Sequence, residues 1–84
     1  MPEFKLEITS IEGIIFSENC YLVVIPSTSG EIGIMKDHEA ILANLTSGDI
    51  KIFDKNNNII KSINISAGYA EMESSDKLNI LIKT

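Results

Sequence analysis

The chain is 84 residues long, 44% hydrophobic and 23% charged, with a formal net charge of −5 and lysine as its only strongly basic residue type. That length admits one small domain, and the apolar content is too high for a disordered segment. An acidic chain without arginine lacks the cationic clusters that track phosphate, read bases or adhere to anionic lipid, which excludes nucleic-acid binding and direct membrane insertion. Its longest apolar run, residues 20–25, falls far short of the ~20 residues that cross a bilayer.

Along the chain, turn signals recur at short and fairly even spacing. Phe4, Leu6 and Ile8 alternate with Lys5, Glu7 and Thr9, the pattern of a half-buried strand, and Glu12-Gly13 closes it. Residues 20–25 read as one strand with two apolar faces: Cys20, Leu22 and Val24 point one way, Tyr21, Val23 and Ile25 the other. Such a strand is either covered on both sides within the domain or turns one face to a partner protein. A domain this small has little material to cover both, and we take Tyr21, Val23 and Ile25 as an apolar interface face.

A turn at Pro26-Ser27-Thr28-Ser29-Gly30 follows. From Ile34 onward, Ile34, Met35, His38, Ile41, Leu42 and Leu45 fall at helical spacing, so periodicity leaves strand and a short helix over residues 37–45 nearly even, with Asp37 as its cap. Beyond Thr46-Ser47-Gly48-Asp49, Ile50 and Ile52 flank Lys51. After the Asp54-Lys55-Asn56-Asn57-Asn58 turn, Ile63 and Ile65 flank Asn64. Past Ser66-Ala67-Gly68 and Ser74-Ser75-Asp76, Leu78, Ile80 and Ile82 alternate with Asn79 and Leu81. Strands at this spacing, with no helix-length segment established between them, predict an all-β antiparallel sandwich or barrel.

Chemistry is sparse. His38 is the lone histidine, and its neighbours Asp37 and Glu39 project to the opposite face of an extended chain, so no metal site converges there. Cys20 makes neither a disulfide nor a zinc site; a buried, reduced thiol in a reducing compartment fits it. Gly30-Glu31-Ile32-Gly33 lacks the Gly-Lys-Ser/Thr ending of a phosphate loop. No nucleophile elbow occurs, and Glu71 and Glu73 read as a solvated strand face. Asn44-Leu45-Thr46 and Asn64-Ile65-Ser66 match the glycosylation triplet, but the start of the chain lacks the apolar core of an export signal. The expectation is no catalytic residue, no cofactor and no metal. A free-standing sandwich that binds a glycan or peptide is a rival reading, limited to Phe4, Phe16, Tyr21, Phe53 and Tyr69 for an aromatic platform.

Taken in order, these landmarks resemble one family. Glu12-Gly13-Ile14-Ile15-Phe16-Ser17 is followed by Tyr21-Leu22-Val23-Val24-Ile25-Pro26, then by Gly30-Glu31-Ile32-Gly33-Ile34 leading to His38. Gly48-Asp49-Ile50-Lys51-Ile52 and Ile65-Ser66-Ala67-Gly68-Tyr69-Ala70-Glu71-Met72 complete the run. The sequence resembles the N-terminal β-sandwich domain of the F-type ATP synthase epsilon subunit over nearly the whole chain. The resemblance implies a sandwich of about ten short strands spanning residues 1–84, without the C-terminal helical hairpin of the family.

It further implies a non-catalytic rotor subunit at the foot of the central stalk. There it joins the gamma subunit to the c-ring, and indirectly to the catalytic head, so that ion-driven rotation powers ATP synthesis. The place implied is peripheral, on the cytoplasmic face of a bacterial inner membrane or an equivalent energy-transducing membrane. Residue by residue, Glu31 matches the acidic position that approaches the c-ring loop, and His38 the histidine near gamma. The resemblance also favours loop and strand over helix after Ile34. Two departures stand out. Lys36-Asp37-His38-Glu39-Ala40 replaces a proline-rich family loop, which implies a less rigid segment. Ala67 replaces a glycine, which implies a restricted backbone before Tyr69.

Overall fold

A computed structural model describes residues 3–37 and 39–84; His38 and the side chain of Glu73 lie outside the described set. Every regular element among the described residues is a strand: β1 (Phe4–Ser10), β2 (Gly13–Cys20), β3 (Leu22–Ser27), β4 (Gly30–Ile34), β5 (Ile41–Leu45), β6 (Gly48–Phe53), β7 (Ile59–Ile65), β8 (Ala67–Ser74) and β9 (Lys77–Lys83). No helix among them is long and apolar enough to cross a membrane. The fold is all-β, with nine described strands where about ten were expected.

The strands form one continuous curled sheet in the order β2-β1-β9-β8-β5-β3-β6-β7, with β4 added beside β3. Where β5 meets β3 the ladder narrows to the pair Ser27↔Leu45. Two flanking hydrogen bonds support it, Thr28 N–H to the Asn44 carbonyl at 3.0 Å and Thr46 N–H to the Pro26 carbonyl at 2.8 Å. At this narrow join the sheet folds over, and the strands on either side become two layers enclosing one core.

Each layer contributes the side chains that its alternation turns inward. Phe4, Leu6 and Ile8 of β1, and Leu78, Ile80 and Ile82 of β9, are buried beneath one layer. Val23 and Ile25 of β3, with Ile50 and Ile52 of β6, close the core from the other. Full burial of each aliphatic side chain stabilises the fold by about 1.5–3 kcal/mol.

One pairing departs from a purely antiparallel sandwich. β1 and β9 run parallel, from Lys5↔Lys77 to Thr9↔Leu81. A parallel pair needs a long connection, and here the whole intervening chain supplies it, so the first and last described strands are locked side by side.

Residues 20–25 are not one strand. Cys20 ends β2, Leu22 begins β3, and the chain bends at Tyr21 to pass from one to the other, with the Tyr21 N–H donating to the Phe53 carbonyl at 3.1 Å. Residues 41–45 form β5, a strand paired with β8 from Ile41↔Met72 to Leu45↔Gly68. The helical spacing there arises because Ile41 and Leu45 face the core while Leu42 stands exposed.

Candidate functional site

The residues singled out by sequence separate into three environments. Val23 and Ile25 are fully buried, at 0% exposure, and Tyr21 is half-buried in the bend between β2 and β3. The apolar interface face expected of Tyr21, Val23 and Ile25 is therefore corrected. Val23 and Ile25 are core side chains facing the second layer, so that side of β3 is covered within the domain itself. The other side of β3, at Leu22 and Val24, is half-buried.

Glu31 is exposed near the start of β4, an edge strand. Its position follows from a tightly tied hairpin. The Ser27 hydroxyl, buried within the turn, accepts from the Ser29 N–H at 3.1 Å and donates to the Gly30 carbonyl. Glu31 then sits opposite Pro26 in the β3–β4 ladder. The carboxylate thus projects from a fixed edge strand rather than a free loop.

His38 lies outside the described residues, but the segment leading to it is anchored. Asp37 adopts a left-handed conformation, φ 67°, which a short polar side chain tolerates. Its N–H donates to the Ser75 carbonyl in the β8–β9 turn at 2.8 Å. β4 therefore carries Glu31 near one end and leads into the tethered segment at the other, about 10 Å from Glu31 to Ile34 at strand spacing.

Ala67 does not restrict a turn. It opens β8, paired with Lys83, and is not among the residues with positive φ. The close backbone approach falls one residue later, at Gly68.

Sequence reasoning missed an exposed apolar surface. Tyr69 pairs with Leu81, Leu81 with Thr9, and Thr9 with Ile14, so these residues form one row across β8, β9, β1 and β2. Leu81 is 53% exposed and Tyr69 40%, and Ile11 in the adjoining β1–β2 turn is 98% exposed. A groove beside the row is lined by Ile11, Glu12, Gly68, Tyr69, Leu81 and Lys83, among others. The signal was the unbroken Ile80-Leu81-Ile82, in which strict alternation requires the central residue to face outward. Of the five aromatic residues, Phe4 and Phe16 are buried, Tyr21 and Phe53 half-buried, and Tyr69 exposed. That is a poor platform for sugars.

Cys20 is buried, and burial pushes its thiol up to about 12, with Glu3 adding a smaller push in the same direction. The group stays protonated and inert. Glu7 and Lys77 pair across β1 and β9 at 3.7 Å in a partly exposed contact worth little. No cluster of three metal-ligating side chains occurs among the described residues.

Residues 3–84 match the family described as ATP synthase, Delta/Epsilon chain, beta-sandwich domain. The chain belongs to this family. It is 36% identical over 73 residues to an ATP synthase epsilon chain of Campylobacter curvus, covering 87% of this chain and 56% of that one. To an ATP synthase epsilon chain of Pelagibacter ubique it is 48% identical over 54 residues, covering 63% of this chain and 42% of that one. In shape it is similar to a chain of the Euglena gracilis mitochondrial ATP synthase OSCP/F1/c-ring structure. The TM-score is 0.88 at 21% identity, covering 100% of this chain and 53% of that one. A chain of the Tetrahymena thermophila mitochondrial ATP synthase central stalk/c-ring structure gives a TM-score of 0.78 at 11% identity, covering 99% of this chain and 65% of that one. At these identities the two structures speak to the fold alone. The chain spans 56%, 59% and 58% of the lengths of three epsilon chains that it matches.

Proposed function

We propose that this domain is a non-catalytic rotor element of an F-type ATP synthase, joining the gamma subunit of the central stalk to the c-ring. The observation that carries the reading is the family match over residues 3–84, in a fold that accounts for every described strand. In this role the chain makes no ATP; rotation of the ring turns gamma within the catalytic head, where ADP and phosphate are joined.

Glu31 faces the polar loops of the c subunits in this reading. A carboxylate on a rigid edge strand sets orientation and encounter more than affinity. His38, beyond the tether at Asp37, meets gamma. The domain is then peripheral to an energy-transducing membrane, on the cytoplasmic face where that membrane is a bacterial inner membrane.

The test is reassembly of the synthase with and without this chain. Coupling between ion flow and ATP synthesis falls when it is omitted and returns when it is added. Coupling indifferent to its presence contradicts the proposal.

A further inference from the structure

We draw no further inference here: the strongest candidate, the exposed apolar row of Ile14, Leu81 and Tyr69 across the outer face of β2, β1, β9 and β8, carries nothing, because nothing in the structure shows what covers it.

Discussion

Gly48 lies so close against Pro26 that a Cβ at Gly48 would stand 2.9 Å from the Pro26 Cβ. Gly48 opens β6, and Pro26 lies on β3 at the narrow join between the layers. The contact marks where the sheet folds over, at a glycine with φ 153° that side chains rarely tolerate. Gly48→Ala should therefore cost about 1–3 kcal/mol through steric overlap and backbone strain together. Gly30 also has positive φ but nothing within 4 Å of a built Cβ, so Gly30→Ala carries the backbone penalty alone. Urea denaturation of both variants should place the Gly48 variant lower; equal midpoints would refute the crowding argument.

A second close approach separates the two residues before Tyr69. A Cβ on Gly68 would meet the Leu81 carbonyl oxygen at 2.7 Å, a backbone atom held in the β8–β9 ladder. Gly68→Ala should destabilise the domain by at least 1 kcal/mol, on the order of other overpacked sites. Ala67→Gly should stabilise nothing and cost about 0.5–1 kcal/mol as glycine in a strand. Thermal melts of the two variants check this, and a gain in melting temperature for Ala67→Gly would contradict it.

Burial of Cys20 predicts a pH dependence with a definite sign. The unfolded thiol loses its proton near 9.0, whereas the folded thiol keeps it up to about 12. Between those values the unfolded state binds fewer protons, so stability falls as pH rises through that window. The quantity to measure is the difference between the parent and Cys20→Ala. That difference should shrink from pH 8.5 upward, and a constant difference would exclude the effect. Below pH 8, a thiol reagent should label Cys20 only at the rate of opening.

Burial also distinguishes neighbours on β9. Ile80→Ala removes a core side chain and should cost about 2–5 kcal/mol. Leu81→Ala, on the outer row, should change stability by less than about 1 kcal/mol. The reverse ranking by denaturant midpoint would mean that the two faces of β9 have been exchanged.

Much of the fold was legible where one face of a strand is apolar and the other polar. The alternation of Phe4, Leu6 and Ile8, and of Leu78, Ile80 and Ile82, appears unchanged as the inward faces of β1 and β9. Alternation could not tell which side of residues 20–25 faced inward, because both were apolar and the bend at Tyr21 carries neither Gly nor Pro. Nor could it show the bulges in the two end strands. Register shifts leave Ile15 without a partner in β1 and Ile60 without one in β6. Ile14-Ile15 and Ile59-Ile60 consequently stand exposed as consecutive pairs, a pattern that a period of two cannot encode. The parallel pairing of β1 with β9 is a property of the whole chain and leaves no local signal. Glu31 and His38 became candidates through family resemblance; alone, each is an ordinary polar residue in a turn-rich stretch.

The role proposed for Glu31 is electrostatic. Glu31→Gln should leave folding intact, since the side chain is exposed. It should weaken the salt-sensitive part of association with the c-ring, and Glu31→Lys should weaken it more. Association rates of the reconstituted stalk with isolated c-ring at two ionic strengths check this. Rates unaffected by either substitution would remove Glu31 from the contact.

The central claim, membership of a working rotor, is tested most directly by a tagged pull-down of this chain from its own organism's membranes in mild detergent, with mass spectrometry of what returns. The account predicts recovery of gamma together with catalytic-head and c subunits. A folded bait that returns none of them would contradict it.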